Sequence, residues 1–184
     1  MEVTATIKQD FLARYEPLHD RFMRYCASRA YGLLEPEDLA QEAILAALRG
    51  YERLADKEKL LGYLIGTVNN LAKGYARRQK RHTDWDEQQI SRLESALPDP
   101  SLAPDIHYLR QAIDQLPADQ REALLLFAIS GFRLREIADI QEVSTGAVKT
   151  RISRARQRLR ELLADDTHSL TLRQRLAIYA SILL

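Results

Sequence analysis

The chain reads as all-α: two small helical domains, an acidic, proline-containing linker and a helical C-terminal tail. Three observations predict this. Apolar residues recur three and four positions apart through most of the 184 residues, whereas the alternation that marks strands is weak throughout. The periodic pattern stops between 82 and 105, where Asp84, Asp86, Glu87, Glu94, Asp99 and Asp105 face a single base, Arg92, and Pro98, Pro100 and Pro104 cluster with Ser101. Charge is sorted into blocks although the net charge is only +1, so basic and acidic surfaces are expected to be separate. The implied domains are 1–81 and 106–165, with the linker over 82–105 and a C-terminal extension over 166–184.

Composition sets further bounds. Charged residues make up 29% and hydrophobic ones 46%, which suits a folded, helix-rich protein. Cys26 is the single cysteine, so an internal disulfide or thiolate metal cluster has no material. The histidines, His19, His82, His107 and His168, have no metal-ligand spacing, and no Gly-rich phosphate loop or nucleophile motif is present. We therefore expect no metal, no cofactor and no enzyme. Lys8, Asp10 and Arg14 interrupt any signal-peptide pattern, and no run of about eighteen uncharged apolar residues exists. A cytoplasmic protein without membrane insertion is the expectation.

The first domain opens with a helical stretch over 7–30, where Phe11, Tyr15, Leu18, Phe22 and Tyr25 make a core stripe. Pro17 should start a second segment or bend the first, and Gly32 should end it. The next helix runs from 34 to 50. Pro36 suits its first turn, as do Glu35, Glu37 and Asp38. Leu39, Ala43, Ala47 and Tyr51 form its buried side, and Gly50 reads as a stop. Asp38, Gln41 and Glu42 point outward and, on composition alone, read as dipole-favoured acids on a solvated face. Residues 53–59 read as a loop. From Leu60 to Arg81 a helix buries Leu61, Leu64, Ile65, Val68, Leu71, Ala72 and Tyr75. Its other side shows Tyr63, Gly66, Asn70, Lys73, Arg77 and Arg81, with Arg78 and Lys80 nearby and no acid. Rings and amides among cations suit a single strand or a melted duplex.

After the linker, which can keep some helix around 88–97, comes a segment over 106–115. An apolar helix around Ala123 to Ile129 follows Pro117. Leu134, Ile137 and Ala138 then give a short stripe, Gln141 to Val143 a break, and Ser144 an N-cap for a helix that buries Val148, Ile152, Ala155, Leu159 and Leu162. The far face carries Gly146, Lys149, Thr150, Ser153, Arg154 and Gln157. Between Lys149 and Arg160 there are six cations and no acid. A short helix, a tight turn and a second helix with a small, polar, basic face describe a DNA-reading helix-turn-helix. A solvated basic surface is the bland alternative. Over 167–184, Leu172, Leu176, Tyr179 or Ala180, and Leu183 make a stripe with Arg173 and Arg175 outside. So short a helix is marginal in water and should pack, most simply on the second domain, the other reading being a partner or self-association surface.

The segments LPADQREALLLF, GFRLREIA and VSTGAVKTRISRARQRL resemble region 4 of bacterial sigma factors, most closely the extracytoplasmic-function (ECF) group. EPEDLAQEAILAAL is similar to region 2.2, and GYLIGTVNNLAKGYARRQKR to regions 2.3 and 2.4 of the same family. The resemblance implies a transcription initiation factor that binds core RNA polymerase through the β′ clamp helices and the β flap. It implies that Asp38, Leu39, Gln41 and Glu42 carry the polymerase contact. It assigns minus-10 DNA to Tyr63, Asn69, Asn70, Lys73, Arg77, Arg78 and Arg81, and minus-35 DNA to Ser144, Thr145, Gly146, Lys149, Thr150, Arg151, Ser153 and Arg154. An anti-sigma factor is an implied partner.

Departures from the family pattern are Tyr63 where Trp is usual, Gly74 where Asp is frequent, Arg133 where Ser or Thr precedes the helix, Glu142 at the expected turn glycine, and Ala147 at a common Thr. If the turn needs a left-handed residue, Glu142 costs about 1 kcal/mol. Two other readings stand beside this one. A sigma-like decoy would bind an anti-sigma factor and no promoter. A stand-alone helix-turn-helix regulator would bind a two-fold symmetric duplex without polymerase.

Overall fold

A computed structural model describes residues 2–30, 33–79, 101, 103–163 and 171–182. Gly32, Arg81, the linker over 82–100 and the start of the tail lie outside those residues. Every regular element among the described residues is helical, and the helices form two compact units. The first holds α1 (Glu2–Tyr15), α2 (His19–Ala30), α3 (Pro36–Tyr51) and α4 (Leu60–Gln79). The second holds α5 (Ala103–Asp114), α6 (Ala118–Ala128), α7 (Leu134–Ile140), α8 (Thr145–Leu162) and α9 (Leu172–Ile182).

In the first unit the expected aromatic stripe does form the core. Phe11, Tyr15, Phe22 and Tyr25 are buried, and the Phe11 ring meets Tyr51 edge-on at 5.2 Å. Leu18 is only half-buried. Pro17 explains this: it sits in a 3₁₀ turn, Glu16–Leu18, between α1 and α2, and the tighter turn rotates Leu18 off the stripe. Tyr51 donates to Asp10 at 2.7 Å, Asp10 accepts from Arg14 at 3.1 Å, and Arg14 reaches Glu58 at 2.5 Å. The Tyr51 and Arg14 hydrogen bonds hold the Asp10 carboxyl below its ordinary value, and burial pushes the Tyr51 phenol up to about 12.

Gly50 does not stop α3, contrary to the sequence expectation. The helix runs one residue further, to Tyr51, and Gly50 is buried inside it. The end is closed instead by Lys57. Its ammonium donates to the carbonyls of Tyr51 and Leu54, the latter at 2.7 Å, and lies 4.5 Å from the centre of the Tyr51 ring. A cation on the last carbonyls satisfies acceptors that the helix leaves open.

In the second unit two assignments need correction. Asp105, read as linker, belongs to the first turn of α5 and is buried. Arg175, read as facing solvent, is buried on α9 and pairs with Asp105 at 3.0 Å, with side chains only 3% and 7% exposed respectively. The tail helix packs on α5 and α6, as expected, and buries Leu176. It starts with a reciprocal cap: the Thr171 amide donates to Gln174 Oε1 at 2.9 Å, and the Gln174 amide to Thr171 Oγ1 at 3.4 Å.

The two short turns around α7 are the steric key to the helix-turn-helix. Gly131, at φ 73°, takes the left-handed step that lets the Phe132 amide reach Leu126 O at 2.9 Å and buries the Phe132 ring. After α7, the Val143 amide donates to Ala138 O at 3.0 Å, which closes a Schellman turn. The left-handed position of that turn is Glu142, at φ 52°. The sequence expectation of a strained residue there is met by the backbone. Arg133 replaces a capping hydroxyl at the other end, and Glu136 compensates by accepting from the Arg133 amide at 2.7 Å.

Candidate nucleic-acid interface

The second unit presents α8. Ser144 caps it by accepting from the Ala147 amide at 3.2 Å, as its position before the stripe implies. Val148, Ile152, Ala155 and Leu159 are buried, and Leu162 is half-buried at the helix end. Burying that stripe fixes the rotation of the helix, so Gly146, Lys149, Thr150, Ser153, Arg154 and Gln157 are all exposed on one face. Ser144 and Thr145 stand exposed at its start. Thr150 Oγ1 donates back to Gly146 O at 3.1 Å, which keeps that hydroxyl close to the helix surface.

The cations of α8 are not equivalent. Arg151 turns to the side and pairs with Asp119 of α6 at 3.1 Å, so it is only half-exposed. Arg158 pairs with Glu161 at 3.1 Å. The Arg156 guanidinium lies 5.6 Å from the centre of the Phe127 ring. Together with Leu134, Lys149, Ile152, Ser153 and Arg160 these two line a shallow groove of about 290 Å³ beside the exposed face. Sequence spacing sees no acid between Lys149 and Arg160, but it cannot see Asp119, which arrives from another element.

The first unit presents α4. Tyr63, Gly66, Asn70, Lys73 and Arg77 are exposed along one side, with Arg78 also exposed. Asn69 differs from the rest of its set. It is half-buried, and its Oδ1 accepts from the buried Tyr25 hydroxyl at 2.9 Å, so it ties α4 to α2. The Tyr63 ring sits over Gly50 of α3, a neighbour that sequence spacing does not reveal.

The outer face of α3 carries Asp38, Gln41 and Glu42, all exposed. Leu39 does not belong to it. That side chain is fully buried, because its place in the four-residue stripe with Ala43 and Ala47 points it into the core. Glu42 accepts from the Tyr75 hydroxyl of α4 at 2.5 Å, and this hydrogen bond pushes the Tyr75 phenol up. The Arg78 guanidinium lies 5.7 Å from the Tyr75 ring centre. The acidic face of α3 and the basic stretch of α4 thus share one residue, Tyr75, which the sequence reads only as part of a buried stripe. No cluster of metal-ligating side chains occurs among the described residues, and no described helix is long and apolar enough to cross a membrane.

Two family models match the chain: Sigma-70 region 2 over residues 13–82 and Sigma-70, region 4 over residues 106–159. The RNA polymerase sigma factor CarQ of Myxococcus xanthus is 30% identical over 159 residues, spanning 85% of this chain and 89% of CarQ. The ECF RNA polymerase sigma factor EcfG of Rhodopseudomonas palustris (strain TIE-1) is 29% identical over 166 residues, spanning 90% of each chain. Among solved structures, the sigma factor RpoE of Bartonella quintana, crystallised in complex with the anti-sigma factor NepR, aligns with a TM-score of 0.50. It is 27% identical, and the match covers 86% of this chain and 97% of that one.

Proposed function

The chain belongs to the ECF group of the sigma-70 family of RNA polymerase sigma factors, and from that premise we propose which of its surfaces does which part of the work. A sigma factor binds core RNA polymerase and directs it to promoters, and this chain does so. Sigma factors are initiation factors rather than enzymes. Here too strand opening draws on binding energy, with no covalent step. The protein acts in the cytoplasm, where core polymerase works.

Residues 1–81 act as region 2, 106–165 as region 4, 82–105 as the connecting linker and 166–184 as an added tail. The exposed face of α8, with Ser144, Thr145, Gly146, Lys149, Thr150, Ser153 and Arg154, reads the minus-35 major groove. Small residues at the helix start let the backbone approach, and the cations meet phosphates and guanine edges. Arg151 acts from its pairing with Asp119, holding α8 against α6 and facing the backbone of the DNA rather than its bases. Tyr63, Asn70, Lys73, Arg77, Arg78 and Arg81 engage the melted minus-10 strand, with Asn69 supporting from inside. Asp38, Gln41 and Glu42 dock on the β′ clamp helices, and region 4 sits toward the β flap. An anti-sigma factor regulates the protein; the complex of the similar RpoE with NepR supports this.

The observation that carries the assignment is the uninterrupted exposed stripe of α8 from Gly146 to Gln157, set by the burial of Val148, Ile152, Ala155 and Leu159. Transcription in vitro with purified core polymerase over a promoter library tests it. Initiation from a defined subset of templates is expected, with Arg154 crosslinking near minus-35 and Arg77 near minus-10. Specific initiation with crosslinks from neither helix would reject the surface assignment.

A further inference from the structure

We infer that Gly50 is a positioning residue for the Tyr63 ring, so that the two form a matched pair holding an aromatic platform at the head of the promoter-facing side of α4. The inference rests on the reading that Tyr63 meets melted DNA, and goes beyond it in naming what fixes the ring.

Gly50 lies one residue before the end of α3, in helical backbone, and is buried. It has no positive φ: among the described glycines only Gly131 does. Conformational freedom is therefore not what this position uses, and glycine inside a helix is otherwise a poor choice. Space is what it uses. A Cβ at Gly50 would lie 2.2 Å from Tyr63 Oη, 3.1 Å from Cζ and 3.5 Å from Cε1. The obstacle is a rigid ring turning on two torsions, so relief requires the whole plate to swing. Fraying of α3 offers no easy relief, because Lys57 holds the carbonyls of Tyr51, Glu52 and Leu54 just beyond it.

With its hydroxyl end seated over Gly50, Tyr63 keeps 37% of its surface exposed. Along the same side of α4 a Cβ at Gly66 would meet nothing within 4 Å, so the ground between the ring and Asn70 is open. Lys73 and Arg77 follow, both exposed. A flat ring, an open step, an amide and then cations form a surface on which one unstacked base can lie while its phosphates are neutralised. Swinging the ring would spoil that surface while leaving every cation in place.

The test is a double-mutant cycle on the full chain bound to core polymerase. The probe is a promoter selected by the parent protein and labelled with 2-aminopurine in its minus-10 element. Tyr63→Ala should lower the opening signal at least tenfold; an unchanged signal would overturn the reading that Tyr63 touches DNA. Given that loss, Gly50→Ala should lower opening several-fold when Tyr63 is present, less beside Tyr63→Phe, which keeps the ring carbon 3.1 Å away but loses the nearer oxygen, and have little effect when Tyr63→Ala is already in place. Core association and duplex minus-35 binding should not move. Thermal unfolding gives a readout independent of DNA: Gly50→Ala should raise Tm in the Tyr63→Ala background, where the clash with the ring is gone and alanine's helix propensity counts, and fail to raise it beside Tyr63. Equal effects of Gly50→Ala on opening and on Tm in all backgrounds would overturn the pairing while leaving the DNA role of Tyr63 intact.

Discussion

Glu142 shows how much a single residue can be read in advance. Its place between two helical patterns identifies the turn, and the absence of glycine there marks strain, which the backbone carries at φ 52°. Replacing it should reveal the cost. Glu142→Gly is expected to stabilise the second unit by about 1 kcal/mol, the penalty of a side chain in left-handed backbone. In a domain of this size that corresponds to an increase of roughly 4–8 °C in Tm by differential scanning calorimetry; no increase would mean that other contacts of the Glu142 side chain offset the strain. Leu39 and Asn69 show the opposite lesson. Motif matching places both at partner surfaces, yet Leu39 is sealed in the core and Asn69 is held by Tyr25. A match by position assigns a role to a whole turn of helix, whereas burial selects which side of that turn a partner can reach. The signal was available for Leu39, since its spacing to Ala43 and Ala47 is that of the buried stripe.

At the level of the element, helix periodicity is a dependable guide wherever the stripe is long. The main buried and exposed faces of α4 and α8 follow from spacing, because one rotation turns a stripe inward as a whole, although Leu61, Leu71 and Tyr75 of the α4 stripe and Leu162 at the end of α8 are only half-buried. The tail helix α9 is less legible. Its stripe predicts packing, but the choice of Arg175 as a buried residue depends on Asp105, some seventy positions earlier, being present in α5 to meet it. Removing one member of a buried pair leaves the other charged and desolvated. Arg175→Met should therefore destabilise the second unit by about 3–5 kcal/mol, and adding Asp105→Leu should restore most of the loss. Urea unfolding of both variants measures this. Equal stability of Arg175→Met and the parent protein would show that the pair is not buried in solution. Helix α3 fails the sequence reading at its end for a related reason: Gly50 resembles a stop, but it is space for the Tyr63 ring.

Across the whole molecule, function divides by charge. In the proposed assignment, acids at the start of α3 face one partner, and cations on α4 and α8 face another. This separation predicts separable losses. Asp38→Lys with Glu42→Lys should weaken association with core polymerase roughly 10- to 100-fold, the scale of like-charge repulsion at an interface, while leaving duplex binding by the second unit unchanged. Arg154→Glu should do the reverse, reducing minus-35 binding by about tenfold or more, the worth of one side chain–base contact. Native gel association and fluorescence anisotropy distinguish the two, and loss of both activities in either variant would refute the division. Glu42 links the acidic face of α3 to α4, since Tyr75 of α4 holds its carboxylate. From sequence alone come the helical architecture, the two-part organisation, the helix-turn-helix, and the sign of charge on each helix. The helices and their charged faces depend on neighbours three or four residues apart, which share a face however the chain folds, and the two-part organisation on the break in that pattern over 82–105. Folding in three dimensions settles the partners that meet from distant segments: Asp119 on Arg151, Tyr25 on Asn69, Tyr75 on Glu42, Gly50 under Tyr63 and Asp105 on Arg175. Periodicity tells which side of a helix faces inward; what it meets there depends on which other helix packs against it.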